Sequence, residues 1–521
     1  MPPAGDAQPM STPFDDGPRQ NLGEAALSGV RWVAYGRVVS EVANLAAAVV
    51  LARLIAPSQF GIVAIALIVY SAATILSSLG LISALVQLPA IAHAHLRTAM
   101  TMSLISSGLA AALVYFGAPL AAGVLGDAVV GPLQLTAPVF LILGMGGTSN
   151  AILQRRLEFG RLTIAGLLGS AAAIVVSLAL AFAGLEAEAL ILGALARSVA
   201  QTAYVIWRAR PPLPAWRRAE AHELWSFGAP TAAGSTGYLV FRHIDYVIVG
   251  AQLGLAQLGF YWRAYQMSFE HQHKVTDIMK RIAFPIFSRS DDLEHLRRMR
   301  FRVVRLHSLI LFPAMFWLLA AAPDLIPFVY GPAWVPAVQP LQILALAGLA
   351  VPILAGSGPA LLAAGFPRQL MYTTWIAAAG FAAVVFVAAP HGLTALCVAV
   401  AGYHFVKLAL MQYLLMERLL GVTTRAVVRE SAPALAGSVA VLAVSAATLH
   451  VAGSVAAPAA VGLPASLLLG GAVYLVAVRH LSPDGWADAR RVVDRLIPSR
   501  LTSRLRGLRA GVPVSAREPA G

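Results

Sequence analysis

The sequence predicts an all-α integral membrane protein of about 14 transmembrane helices. Three observations predict it: long apolar runs recur along the chain, charged residues are scarce, and basic residues crowd into alternate loops. Of 521 residues, 58% are hydrophobic and 12% charged, with a mean hydropathy of +0.74. Soluble domains carry about 25% charged residues. The runs match the roughly 20 residues a helix needs to cross a hydrocarbon core of about 30 Å. None shows the short alternating segments of a transmembrane barrel.

Taken in order, residues 1–29 are polar and proline-bearing, which predicts a disordered cytoplasmic tail rather than a secretory signal. Apolar spans are expected near 32–53, 60–86, 98–118, 132–153, 162–183, 188–207, 225–250, 258–280, 302–322, 336–364, 369–389, 394–416, 432–451 and 458–478. Residues 479–521 form a basic, amphipathic cytoplasmic tail, with Trp486, Val492, Val493, Leu496 and Ile497 on one helical face among arginines. Such a segment is expected to lie on the anionic membrane surface. The net charge of +14 raises nucleic acid as a partner. No aromatic platform or binding motif accompanies the charge, and no nucleic-acid partner is expected.

Loop charges set the topology. Of 38 lysines and arginines, 31 fall in the tails and in alternate loops, while the opposite loops are short and hold Asp127, Glu186, Glu188 and Asp324. The positive-inside rule then places both termini in the cytoplasm. It also decides the doubtful eighth span, Leu258–Arg281, which carries Arg263, Glu270, His271, His273, Lys274 and Asp277. Each charge at a helix centre costs roughly 2.5–3.5 kcal/mol on insertion scales. Without this crossing, however, eight basic residues between Lys280 and Arg305 would move outside. A polar helix that crosses must face protein or water, which makes it a functional candidate.

The segment Val50–Gly61 aligns with Ile248–Gly259 at an offset of 198 residues. The match equates helices one and two with seven and eight, although chance similarity of apolar runs competes with it. The expected parse is an N-terminal six-helix bundle at 30–207, a cytoplasmic linker at 208–224, and a second six-helix bundle at 225–416. An extra helix pair comes next, at 432–478. Parallel repeats of this kind flank a central cavity.

Charged residues inside the spans mark that cavity. Arg37, Glu41 and Asn44 recur at i, i+4 and i+7 on the first helix; an internally neutralised Arg37–Glu41 pair is the competing reading. Arg242, His243 and Asp245 cluster on the seventh helix. Arg263, Glu270, Lys274 and Asp277 recur at i, i+7, i+11 and i+14 and share one face of the eighth helix. His404 and Lys407 form a further pair on the twelfth. The cations Arg37, Arg242, Arg263, Lys274 and Lys407, with Asn44, are the candidate lining for a diphosphate or glycan. Glu270, Glu41 and Asp245 are the candidates for coupling to a proton or sodium ion. The outside loops are too short for a catalytic domain, so a transporter rather than an enzyme is expected. A lone Cys397 excludes disulfides, and His271-x-His273 is too little for a metal site. No cofactor is expected.

Several short motifs then resemble a known family. They are SGVRW (28–32), VLAR (50–53), QFG (59–61), LG (79–80) and ALVQ (84–87), followed by QRRLEF (154–159), FG (227–228), FPIF (284–287) and PFVYGPAW (327–334). In order, over roughly residues 25–420, they resemble the Wzx-type polysaccharide exporters, in the branch handling colanic-acid-like repeat units. That superfamily also holds multidrug extruders and lipid II flippases. The resemblance implies a flippase that moves undecaprenyl-diphosphate-linked oligosaccharide across the bacterial inner membrane by alternating access. A polysaccharide polymerase and export machinery are implied partners, alongside membrane lipids. Lipid II flippases use cavity arginines on helices one, two and eight; here Arg37 lies on the first helix, Arg53 at its end just before the second, and Arg263 on the eighth. The match is to the helix and not to a motif, and Arg53 lies where it would cap a turn. The alternatives are an ion-coupled drug or cation antiporter of the same fold and a non-transporting scaffold of a polysaccharide assembly complex.

Overall fold

The computed structural model describes residues 22–77, 79–88, 90–273, 275–276 and 292–496, and every regular element among them is helical. The chain opens with α1 (Leu22–Leu54), α2 (Pro57–Leu76), α3 (Leu81–Gln87), α4 (His93–Leu125), α5 (Val130–Thr136), α6 (Pro138–Arg155), α7 (Phe159–Phe182) and α8 (Ala187–Ala209). It continues through α9 (Arg218–Leu253), α10 (Leu255–Tyr265), α11 (Leu293–Tyr330), α12 (Val338–Ala347), α13 (Ala350–Leu354), α14 (Ser357–Ala363), α15 (Pro367–Ala388) and α16 (Leu393–Leu410). It ends with α17 (Thr424–Ser454), α18 (Ala459–Leu481) and α19 (Pro483–Leu496).

Among the described residues, eleven helical stretches are long and apolar enough to cross a membrane, which makes this a multi-pass membrane protein. The expected spans outside that set are α1, α9 and the segment beginning with α10. These are the ones that carry Arg37, Glu41, Arg242, Asp245 and Arg263. Apolarity alone fails where the charges sit. Length does not fail for α1 and α9: 33 and 36 residues reach about 50 Å at about 1.5 Å per residue.

The chain divides into two compact units. The first holds residues up to Ala264 together with Ile326–Pro340 and Thr374–Val400. One of its cores gathers Leu81, Leu85, Leu96, Leu153, Val205 and Leu224. Leu224 belongs to α9, which begins at Arg218, so the expected linker at 208–224 is already helical in its last seven residues. Lipid tails are as apolar as leucine, so helices in a bilayer associate through close packing of small residues. Gly144 sits against Ser107 and Gly193 against Ser177, close enough that a Cβ would collide with each hydroxyl.

Among the described glycines, the tightest approach to another helix's backbone joins α2 to α10. A Cβ at Gly61 would lie 1.9 Å from the carbonyl oxygen of Leu255, and one at Gly259 would lie 2.0 Å from that of Pro57. Only glycine permits backbones this close. The offset of 198 pairs Gly61 with Gly259 and Pro57 with Leu255, so each contact is the image of the other under the register of the repeat. Beside this crossing, Arg53 at the end of α1 donates to the carbonyls of Phe328 and Val329, and the Trp334 indole donates to the Ala52 carbonyl at 2.9 Å. A cation on the orphan carbonyls that end α11 complements its dipole.

The second unit holds Tyr265–Leu325, Leu341–Thr373 and the chain from Ala401 onward. In it α11 begins nine residues before the expected span at 302, so Arg297, Arg300, Arg302 and Arg305 ride on a helix rather than in a loop. The pair α17 and α18 packs on α11 through Leu309, Phe312, Val441 and Tyr474, with the Tyr474 hydroxyl donating to the Leu309 carbonyl at 2.7 Å. In α19, Trp486 joins that cluster and Asp488 is buried. The Asp488 carboxylate accepts from Arg302 at 2.5 Å and Arg305 at 2.9 Å, and Arg491 stands 3.1 Å away. The part of the C-terminal tail that is described is thus docked on α11 by an ion-pair cluster.

Candidate functional site

The hairpin of α9 and α10 carries two buried charged residues, Asp245 and Arg263. Arg263 is 4% exposed and sits in a cage of four rings, with its guanidinium carbon 5.0 Å from Phe60, 5.1 Å from Trp262, 4.7 Å from Tyr330 and 5.4 Å from Trp334. The cage is set up by local sequence. Phe60 precedes the crossing glycine of α2, Trp262 neighbours Arg263 on α10, and Tyr330 and Trp334 flank the turn at Gly331. Each ring face attracts a cation, by up to about 2 kcal/mol when desolvated. Arg263 Nε has no hydrogen-bond partner. The sequence predicts the wall of a hydrated cavity at this position; here the guanidinium is enclosed by aromatic faces.

Asp245, on α9, is fully buried, and its Oδ2 accepts from the Tyr261 hydroxyl at 2.8 Å. Tyr261 also packs edge-on against Tyr246, and Tyr246 against His243. Asp245 Oδ1 has no hydrogen-bond partner. Arg242 is half-buried one turn away on the same helix. Hydrogen bonding thus ties the Asp245 cluster to α10 two residues from Arg263.

On α1, Glu41 is exposed and Asn44 half-buried. Asn44 donates to Ser40 at 3.3 Å, Ser40 donates to Ser170 of α7 at 2.8 Å, and Arg197 of α8 donates to the same Ser170 hydroxyl. Of this hydrogen-bonded chain, the sequence singles out only Asn44. The Arg37 side chain, Lys274 and Asp277 lie outside the described residues.

In the second unit, α10 passes into a π-helical turn at Gln266–Glu270. A π turn takes up one extra residue, so the residues beyond it are rotated by about 100° relative to an unbroken α-helix. Arg263 and Glu270 therefore do not share the face expected from an α-helical period. Glu270 is half-buried at the end of this turn. Phe269 in the turn is fully buried, with its ring 4.7 Å from Tyr265 and 4.8 Å from His404 of α16. Lys407 lies half-buried one turn beyond His404. The π turn and the His404–Lys407 segment are thus brought together.

Sequence reasoning missed the cage, because its rings come from four separated positions. It also missed Arg300, which counted as a loop charge. The signal for Arg300 was the spacing of Arg297, Arg300, Val304 and His307 along one helical face.

Comparison with known proteins places this architecture. A model of the family described as polysaccharide biosynthesis protein matches residues 50–339, more than half of the chain. The chain is 27% identical over 335 residues to the lipopolysaccharide biosynthesis protein WzxC of Escherichia coli (strain K12), covering 63% of this chain and 68% of that one. It is 26% identical over 307 residues to the teichuronic acid biosynthesis protein TuaB of Bacillus subtilis (strain 168), covering 56% and 62%. It is 26% identical over 313 residues to the succinoglycan biosynthesis transport protein ExoT of Rhizobium meliloti (strain 1021), covering 57% and 61%. In fold it is similar to the lipid II flippase MurJ in an inward closed conformation, with a TM-score of 0.68 at 12% identity over 87% of this chain and 99% of that one. It is also similar to an inward-facing multidrug resistance MATE family transporter, with a TM-score of 0.60 at 13% identity over 76% and 99%. The matched region contains both α2 and α10, their glycine crossing and the four rings around Arg263, and the chain belongs to the polysaccharide biosynthesis protein family.

Proposed function

We propose that this protein is a flippase that moves undecaprenyl-diphosphate-linked oligosaccharide units from the cytoplasmic to the periplasmic leaflet of a bacterial inner membrane. One observation carries the reading. The relatives are named for the biosynthesis of three different products, lipopolysaccharide, teichuronic acid and succinoglycan, and one of them is named a transport protein. What such pathways share is the need to bring a hydrophilic glycan across a bilayer.

The physical task is narrow. The lipid tail is at home in the bilayer; only the glycan and its diphosphate resist crossing. Two six-helix halves, at 30–207 and 225–416, would supply a hydrated cationic path by rocking about a central site. Arg263 is the leading diphosphate ligand, held among its rings in the present state and uncovered when α2 and α10 part. Arg37, Arg242, Lys274, Lys407 and Asn44 are the further lining. Both termini lie in the cytoplasm in this scheme. The polymerase and export machinery that receive the product are the expected protein partners.

Asp245 leads the ion-coupling candidates, ahead of Glu270 and Glu41, because its carboxylate is buried and has one oxygen without a partner. Asp245→Asn keeps the acceptor toward Tyr261 and removes the charge. Its transport rate is expected to lose its response to an imposed proton or sodium gradient. A response equal to wild type would remove Asp245 from the coupling path.

Gene deletion followed by glycan analysis tests the flippase assignment itself. Loss of a surface polysaccharide with accumulation of its lipid-linked repeat unit inside is expected. Normal surface polysaccharide with no intermediate would refute it.

A further inference from the structure

Arg300 lies on α11 with its side chain fully buried, on a helix whose Leu296 and Val304 join a hydrophobic core with Leu361 and Met416. Its Nη2 donates to the carbonyl of Ile353 at 2.6 Å and to the hydroxyl of Ser357 at 3.0 Å. Those two residues stand on either side of a break between α13 and α14, where Ala355 is extended and Gly356 adopts φ +79°. A broken helix leaves carbonyls without partners, and a cation there complements the end of α13. That structural duty occupies one nitrogen.

The rest of the guanidinium is unexplained. Nε and Nη1 have no hydrogen-bond partner, and no carboxylate among the described residues pairs with Arg300. Buried polar atoms are nearly always satisfied, and an unpaired buried cation is among the costlier exceptions. Arg297, one turn before, is partly exposed, pairs with Glu294 at 3.3 Å and donates to the Leu420 carbonyl at 2.6 Å. Along α11 a partly exposed, paired arginine is thus followed one turn later by a buried arginine with free donors. The pieces covering Arg300 are short, five residues in α13 and seven in α14, with Gly356 between them. Such an element can swing as a unit about its joint.

We propose that Arg300 is a phosphate-binding group, its free N–H donors taking the oxygens of a lipid phosphate or diphosphate when α14 swings aside. The Ile353 carbonyl and the Ser357 hydroxyl hold the guanidinium until then. Arginine suits this task because it stays charged and offers five N–H donors, of which a helix break needs few. The phosphate comes from the lipid-linked substrate or from an anionic phospholipid; the first source rests on the flippase reading above, the second does not.

The test uses the full chain in phosphatidylcholine nanodiscs, alone or with undecaprenyl diphosphate, undecaprenol or phosphatidylglycerol, and measures lipid binding and thermal unfolding. Arg300→Gln retains an amide donor for the Ile353 carbonyl and removes the charge. In wild type, a phosphate-bearing lipid but not undecaprenol is expected to raise the unfolding midpoint. In Arg300→Gln, the midpoint without added lipid should match wild type, while binding weakens at least about tenfold, as for a lost charged hydrogen bond. Which of the two phosphate lipids acts decides the source. Equal binding by Arg300→Gln and wild type would overturn the proposal. So would a variant destabilised without lipid whose binding per folded molecule is unchanged. Unaltered binding in Arg300→Gln alongside normal flipping removes this site alone. A gene deletion without glycan phenotype removes the flippase reading and leaves a phosphatidylglycerol response at Arg300 standing.

Discussion

Arg263→Met protein is expected to reach the membrane in normal amount yet leave lipid-linked oligosaccharide on the cytoplasmic leaflet. Methionine fills much of the space of the arginine stem and is tolerated against aromatic rings, so the cage keeps its packing. What it lacks is the charged fork that a diphosphate needs. Losing one charged hydrogen bond, worth roughly 1.5–3 kcal/mol, predicts a fall in flipping of about tenfold to a hundredfold. Arg263→Lys retains charge but not planarity and should fall between the two. The measurement is the ratio of intracellular lipid-linked intermediate to surface polysaccharide at matched protein levels. Full activity in Arg263→Met would show that the cage serves packing only.

Gly61→Ala is expected to destabilise the protein, against the usual sign for a helical glycine. In an open helical position, alanine is favoured over glycine by about 1 kcal/mol. Gly402 on α16 offers that control, with nothing within 4 Å of an added Cβ. At Gly61 the added carbon would stand 1.9 Å from a backbone oxygen, which no rotamer can relieve. Parting α2 from α10 to ordinary van der Waals distance would disturb Phe60 and hence the cage. Overpacking of this kind costs roughly 1–3 kcal/mol. Gly259→Ala should behave alike, because its contact is the counterpart of the same crossing. Thermal unfolding of the three variants in one detergent decides the matter. Gly61→Ala as stable as Gly402→Ala would mean that the helices do not cross so closely.

The helical membrane fold was legible from hydropathy, because apolarity over about 20 residues dictates it. The polar spans were harder. The crossing of the eighth helix rests on loop charges as an expectation, with no local apolar signal behind it. Its side-chain register was not legible: the π turn at Gln266–Glu270 has no period of its own, so a face drawn through Arg263 and Glu270 with α-helical spacing is rotated. Arg300 was hidden for a different reason. A loop charge and a buried helical charge look alike in sequence until the helix start at Leu293 is known. The aromatic cage depends on Phe60, Trp262, Tyr330 and Trp334 meeting across 274 positions of chain, a long-range fact that no window contains.

Transport by the purified chain is the decisive quantity. Proteoliposomes loaded with undecaprenyl-diphosphate-linked oligosaccharide would be probed with an impermeant glycan-cleaving reagent under proton and sodium gradients. The protein is expected to change the fraction of glycan accessible from outside, at a rate that Arg263→Met cuts by about tenfold or more. Accessibility identical to that of protein-free liposomes under every gradient would contradict a flippase.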